Sequence, residues 1–263
     1  MHDSAHKAVV QQSFTRQAEV YAVTPTVMDP ARIARLVEAI GPAPGSRVLD
    51  VACGPGFLAL AFPQHCREVI GLDLTDAPLA IAEKKRQARG LANVRFQRGD
   101  ADRLPFGDGE FDVVVCRFAL HHVEDPGRVL REMARVCRPQ GKVAVEDLVT
   151  SEHRARGDYQ NQFERLRDPS HTRALAASEL LGLFAAAGLE VERLYSSELV
   201  QNLERWLANS QTLPDRAAQV RVLIDRDARE DLSGTRPYFE DGQWFFHHPT
   251  LTVVARRLDG SLR

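Results

Sequence analysis

The sequence predicts an α/β fold built on a mainly parallel sheet with helices on both faces, and three observations predict it. Between residues 45 and 149, strand-like and helix-like segments alternate, the order that crossover connections between parallel strands produce. Val113-Val-Val115 and Val143-Ala-Val145 are continuous apolar runs, as strands buried on both faces require. Val48-Leu-Asp-Val-Ala-Cys-Gly-Pro-Gly56 runs a strand into a tight glycine turn and on toward a helix start, a junction where a ligand meets backbone with no Cβ in the way.

Taken in order, residues 1–24 carry Phe14 to Tyr21 at helix-like spacing, an N-terminal cap or a cover for a ligand. Asp29 caps the next helix, Pro30 suits its first position, Ile33, Leu36, Val37 and Ile40 share a face, and Gly41 stops it. A turn at 42–45 leads into a strand at 47–51, then a helix over 56–64 and a strand at 68–72. Asp76 caps a helix that ends near Gly90, and strands follow at 93–97 and 111–116. Asp125-Pro126 opens a helix with Val129, Leu130, Met133 and Val136 on one side, and residues 142–149 form the fifth strand. Residues 150–175 are polar, Arg-rich and irregular, whereas 178–187 is helical and 190–199 alternates as a strand. Residues 202–232 read as helix interrupted at Pro214, and a turn at 240–242 precedes a last strand at 250–257. No internal repeat or linker divides the chain. The expectation is one domain over 1–263, with a helical cap at 1–44, a cofactor-binding core at 45–149 and substrate-side elements at 150–263.

Composition narrows the class. With 263 residues, 44% hydrophobic, the chain can bury a large core, and a net charge of −2 gives no case for nucleic acid. No apolar run approaches the ~18 residues of a membrane span, and Met1 to Lys7 is too polar for a signal peptide, so a cytoplasmic protein is expected. Cys53, Cys66, Cys116 and Cys137 form no Cys-x-x-Cys pair and read as reduced, buried thiols.

Gly54-Pro-Gly-Phe-Leu-Ala59 satisfies the G-x-G-x-x-A dinucleotide pattern, and Asp73 ends the second strand where a ribose-binding acid belongs. A dehydrogenase is therefore one reading. Asp50, inside the first strand, opposes it, because a carboxylate facing two phosphates serves no purpose, whereas one facing an ammonium does. Asp100 adds an acid suited to an adenine amine. Three acids around one ligand point to S-adenosylmethionine, which has a sulfonium, an ammonium and no phosphate.

In that light, Val48–Gly56, Gly71-Leu-Asp73, Gly99-Asp-Ala101, Leu104-Pro-Phe106, Phe111–Val123 and Leu130–Gly141 together resemble, in order and spacing, the motif series of class I S-adenosylmethionine-dependent methyltransferases. The branch they look most like includes the ubiquinone/menaquinone C-methyltransferases and many small-molecule enzymes. Ala52 departs from the glycine usual at its position. The resemblance implies a Rossmann-like seven-stranded sheet with one antiparallel edge strand, supplied by 250–257. It also implies that Asp50, Ala52, Gly54 and Gly56 hold the methionine part, Asp73 the ribose, Leu74 the adenine face, and Asp100 with Ala101 the adenine edge. Cys116 would offer its carbonyl to the ammonium, and Tyr21 and Arg117 complete the cofactor set.

Methyl transfer from a sulfonium is an in-line displacement, so holding nucleophile, methyl and sulfur collinear does much of the work. Ligands of open α/β sheets lie beyond the carboxyl ends of the strands, which puts a small-molecule acceptor near Arg117, Phe118, His121, His122, Glu146 and Asp147. His121 and His122 are candidate bases, because imidazole titrates near neutrality. Arg167-Asp-Pro-Ser-His171 looks like an element of a subgroup of these enzymes: Arg167 and Asp168 would pair, His171 would face the acceptor as a third candidate catalytic group, and Asn161 would join the pocket. A salt-bridged cap is the alternative. Leu203, Trp206, Leu207, Leu213, Val220 and Leu223 suit a lid, or packing and homodimer contacts, equally well. Trp244 to Phe246 are expected in the core, His247 and His248 exposed, and no metal site is expected. The rival functions are quinone-ring C-methylation, and a fold that keeps the cofactor for a non-methylating or regulatory role.

Overall fold

The computed structural model describes residues 5–259. The sequence expectations for Met1 to Ser4, and for the last four residues of the C-terminal segment, lie outside that range. Helices α1 (Ala5–Tyr21), α2 (Pro25–Met28) and α3 (Pro30–Ile40) precede β1 (Arg47–Val51). The core then runs β2 (Glu68–Asp73), α4 (Asp76–Ala88), β3 (Val94–Arg98), β4 (Phe111–Arg117), α5 (Pro126–Val136) and β5 (Cys137–Thr150). Beyond it come α6 (Arg154–Arg167), β6 (Leu175–Ala176), α7 (Ala177–Ala186) and β7 (Leu189–Asn202). The chain closes with α8 (Leu203–Asn209), α9 (Pro214–Glu230), β8 (Tyr238–Glu240) and β9 (Gln243–Arg257).

The main sheet has the order β3-β2-β1-β4-β5-β9-β7, with β6 paired to β5 and β8 to β9. β1 to β5 run parallel, and β9 is antiparallel to both its neighbours. The reversed strand is therefore one place in from the edge, which β7 occupies, and not at the edge itself.

The apolar runs explain the layering. Val113, Val115 and Ala144 pack toward α3 with Ile33, Leu36 and Phe62, whereas Val114, Cys116, Val143 and Val145 pack toward α5 and α7 with Leu130, Met133 and Phe184. Successive strand residues thus feed opposite cores, so every position must be apolar. Asp29 accepts the amides of Ala31 and Arg32, and Gly41 ends α3 in the left-handed conformation at φ 58°. A third core, around Phe163, Trp206, Val220, Ile224 and Phe246, joins α6, α8, α9 and β9.

Three expectations fail for identifiable reasons. No helix forms over 56–64, where only a 3-10 turn exists at Ala59–Ala61. The Asp50 carboxylate takes the amide of Ala59, and Pro63 has no N–H to extend the turn. Residues 154–167, expected to be irregular, form α6. Its inward face is Gly157, Gln160, Asn161, Phe163 and Glu164, a helical spacing written almost wholly in polar residues. His248, expected exposed, is 1% exposed and lies 2.6 Å from the buried carboxylate of Glu164, whereas His247 keeps partial exposure beside Glu198. Among the described residues no helix is long and apolar enough to cross a membrane.

Candidate active site

From β1 the chain winds outward to β2 and β3 on one side and later to β4 and β5 on the other, so a crevice opens at the carboxyl ends of β1 and β4. There a chamber with about 1030 Å³ of space free of atoms is walled by the ends of β1 to β4 and roofed by α1, through His6, Lys7, Val10, Phe14 and Tyr21. The cap expected at the N-terminus is thus a cover over the strand ends.

Carboxylates dominate the wall. Asp50 is 2% exposed and accepts the Ala59 amide at 2.9 Å; burial pushes its carboxyl up to about 7, against the opposing pull of that N–H and of Arg117. Asp73 accepts the amides of Gly54 at 2.8 Å and Thr75 at 2.9 Å. Burial raises its pKa, and those amides work against the rise. A carboxylate has about four acceptor sites, so Asp73 can pin the glycine turn and still accept from a ligand. Asp100 is bridged to Asp102 by Lys7 of α1, whose ammonium lies 2.6 Å from each. Nothing in the sequence marks Lys7, because its partners lie 93 and 95 residues away.

The turn divides its labour. Gly54 has φ +52°, and a Cβ there would meet only Tyr21, at 3.9 Å. Gly56 has φ +77°, and a Cβ would strike Phe96 at 2.9 Å and Ala82 at 3.0 Å, so its space is used for packing and it does not line the chamber. Ala52, at φ 55°, and Phe118, at φ 53°, hold left-handed backbone without being glycine, both on the chamber wall. Leu74, Ala101 and Arg117 also line it. Cys116 does not: its thiol is buried, and desolvation pushes its pKa well up.

A second chamber adjoins the first across a shared wall of Phe14, Tyr21, Val27, Phe118 and His122. His121, on the far side of that wall, pairs through Nδ1 with Asp147, whose other oxygen accepts the Leu120 amide at 2.7 Å. Burial lowers the His121 pKa, but the Asp147 carboxylate outweighs it and the net shift is upward. His122 is driven down to about 4 by burial and by His121; its Nδ1 lies 3.1 Å from Ser170 Oγ. Two adjacent imidazoles are therefore shifted in opposite directions.

The Arg167–His171 element is ordered differently from the expectation. Arg167 stacks on Trp206 with its guanidinium 4.7 Å from the ring centroid, and forms no ion pair with Asp168. Asp168 instead accepts from Ser170 and from Gln17 of α1, tying the roof to this loop. Burial opposes ionisation of Asp168, yet His122 and Arg167 hold it well below the usual carboxylate range. His171 is buried and bonded to Asn161 Oδ1 at 2.7 Å, and burial holds its pKa far down. Arg167 and Asp168 line the second chamber; Asn161, His171 and Asp147 line neither. Glu146 also stays out, spent on Arg32 and Arg117. Among the described residues no cluster of His, Cys, Asp and Glu suits a metal ion.

This lining suits a cationic nucleoside. Five acids, Asp50, Asp73, Asp100, Asp102 and Glu124, line the first chamber, and its Lys and Arg are engaged with carboxylates, so no basic cradle exists for a pyrophosphate. Fold and wall together define a doubly wound α/β enzyme whose nucleoside cofactor carries no phosphate. Comparison with known proteins agrees. The profile of a methyltransferase domain matches residues 49–145. Methyltransferase YcgJ of Bacillus subtilis is 33% identical over 217 residues, covering 82% of this chain and 86% of its own. Its crystal structure superposes with a TM-score of 0.83 at 29% identity, covering 88% of this chain and 99% of that one. The protein YafE of Escherichia coli is 35% identical over 74% of this chain and 92% of its own. A demethylmenaquinone methyltransferase of Renibacterium salmoninarum is 35% identical over 52% of this chain and 58% of its own length. The chain belongs to the class I S-adenosylmethionine-dependent methyltransferases, and S-adenosylmethionine is its cofactor.

Proposed function

We propose that the chain works as one methyltransferase unit, in the cytoplasm, on a nucleophilic oxygen, nitrogen or carbon of a small organic acceptor held in the second chamber. Four free, buried cysteines support a reducing compartment. When bound, S-adenosylmethionine supplies a methyl group on a positively charged sulfur, open to in-line attack. Asp50 and the turn through Ala52 and Gly54 receive its amino-acid end, Asp73 its ribose, and Leu74, Asp100 and Ala101 its adenine. The wall of Phe14, Tyr21, Val27, Phe118 and His122 is where the groups in the two chambers meet, and α1 excludes water above it.

His121 takes the acceptor's proton. With Nδ1 on Asp147, the ring carries its hydrogen there and presents Nε2 as the acceptor. His122, largely neutral and edge-on to Phe14 at 4.9 Å between centroids, positions the acceptor. The single observation behind this reading is the His121–Asp147 pair at the wall of a chamber abutting the cofactor's own. A ring-carbon acceptor of the quinone type is a narrower version, supported by the aromatic side chains of Phe14, Tyr21, Phe118 and Trp206 on the second chamber.

Methyl-labelled S-adenosylmethionine tests the proposal when supplied with a low-molecular-weight cell extract and, separately, with RNA and protein. Label is expected in an extractable small molecule, and to vanish in His121→Ala. Label in the RNA or protein fraction would overturn the reading.

A further inference from the structure

The second chamber carries a cation that no carboxylate answers. Among the described residues Arg167, the last residue of α6, is the only Lys or Arg on its lining, and no carboxylate lies within ion-pair distance of it. Its guanidinium stacks 4.7 Å from the Trp206 ring centroid and its Nε donates to the Trp206 carbonyl at 3.3 Å, so the plane is fixed from α8. Both terminal nitrogens keep accessible surface and donate to no described residue. The group is near enough to Tyr21 and His121 for its charge to act on both. Asp168, next in sequence, is spent elsewhere, with Oδ1 on Ser170 and Oδ2 on Gln17.

Two amides on the same lining are unspent as well. Gln201 of β7 is 8% exposed, yet its side chain meets no hydrogen-bonding partner among the described residues, and the same holds for Asn209 at the end of α8. A polar side chain so nearly buried is costly unless something that enters the chamber satisfies it. One planar cationic fork and two amides, set among Phe14, Phe118 and Trp206, complement an apolar body that carries a planar, singly charged oxyanion. A carboxylate fits. A phosphate dianion would keep an unanswered charge, and a neutral acceptor would leave the fork unpaired.

We propose that the methyl acceptor is an organic carboxylic acid, anionic at pH 7, whose carboxylate Arg167 recognises through Nη1 and Nη2 with Gln201 as a further donor. This rests on the second chamber being the acceptor's site. Trp206 is a positioning residue, holding the guanidinium plane from its ring and its carbonyl. A carboxylate held by a guanidinium is a poor nucleophile, so it serves as the handle and the methyl goes to another atom of the acid.

The test uses probes of similar shape and different charge. With S-adenosylhomocysteine saturating the first chamber, benzoate, benzamide and phenyl phosphate are titrated by ligand-observed NMR into wild type, Arg167→Met and Arg167→Lys. Wild type should bind benzoate about 10- to 100-fold more tightly than benzamide, the size of a charge-assisted pair, and more tightly than phenyl phosphate. Arg167→Met should erase the preference over benzamide and leave the benzamide Kd within about twofold of wild type. Arg167→Lys, with the charge but not the fork, should keep part of it. No preference for benzoate in wild type, tighter binding of phenyl phosphate, or an unchanged preference in Arg167→Met would each overturn the proposal. Equal weakening of benzoate and benzamide in Arg167→Met would make the residue structural and do the same. Turnover separates this from the reading beneath it. With methyl-labelled S-adenosylmethionine, labelled product should arise only from the part of the small-molecule extract that an anion exchanger retains at pH 7. Product from the unretained part would overturn the acid and leave small-molecule methylation standing, whereas product from neither part would overturn that reading itself.

Discussion

Asp147→Asn isolates the part of the site that does chemistry. The carboxylate accepts the Leu120 amide at 2.7 Å and the Ala119 amide at 3.2 Å with one oxygen, and with the other it pairs with His121 Nδ1 and accepts the Leu148 amide at 2.7 Å. Asparagine keeps its carbonyl oxygen on the Leu120 and Ala119 amides and turns its NH2 toward the ring, giving up the hydrogen bond from the Leu148 amide. Nδ1 must then accept, the proton moves to Nε2, and the ring loses the lone pair that faces the acceptor. General-base catalysis contributes typically 10²- to 10⁴-fold, so kcat should fall by about that factor while the Kd for S-adenosylhomocysteine stays within about twofold. The pH profile gives a second readout. Burial alone would lower His121 below its ordinary 6.5 and Asp147 more than reverses this, so the neutral base appears only as pH rises through a value above 6.5. Wild-type kcat should climb over that range, and residual turnover in Asp147→Asn should have its midpoint below 6.5. By linkage, the pair's contribution to fold stability is fully present below pH 6.5 and is lost as pH rises through the raised value. Measurements of kcat from pH 5 to 9, with binding followed by calorimetry, make the check. Turnover within threefold of wild type with the same midpoint would refute base catalysis by His121.

Two further outcomes follow from the first chamber. Asp73→Asn should weaken S-adenosylhomocysteine by about 1–3 kcal/mol, because the ribose loses a charged acceptor and the Gly54 amide loses its anchor. Unchanged affinity by calorimetry would put the ribose elsewhere. Ala52→Gly should stabilise the fold: a left-handed L-residue costs about 1–2 kcal/mol, and added glycine freedom in the unfolded chain returns about 0.4–1 of that. A thermal midpoint raised by about 2–4 °C is expected, and a lowered one would mean that the Ala52 methyl packs usefully.

The sheet and the acids on its strand ends were legible because each rests on local pattern. Val113–Val115 and Val143–Val145 read directly as strands between two cores, and Asp50 and Asp73 sit at positions that strand and turn define. Where function depends on pairing at long range, the sequence is silent. Helix α6 hid because Gln160, Asn161 and Glu164 take the places usually held by leucine, and the partners outside the helix that satisfy them are Ala174 and His171 for Asn161 and His248 for Glu164. The same holds for Lys7 over Asp100 and Gln17 on Asp168, both carried by a helix whose apolar face is too thin to show as core. Gly56 was legible as a glycine but not by its purpose, because the Phe96 ring that demands it comes from a different strand.

Titration of the purified chain with S-adenosylhomocysteine and with NAD tests the assignment of the strand-end chamber most directly. Saturable heat at one S-adenosylhomocysteine per chain, with none from NAD, is the predicted result. Saturable binding of NAD with silence from S-adenosylhomocysteine would contradict it.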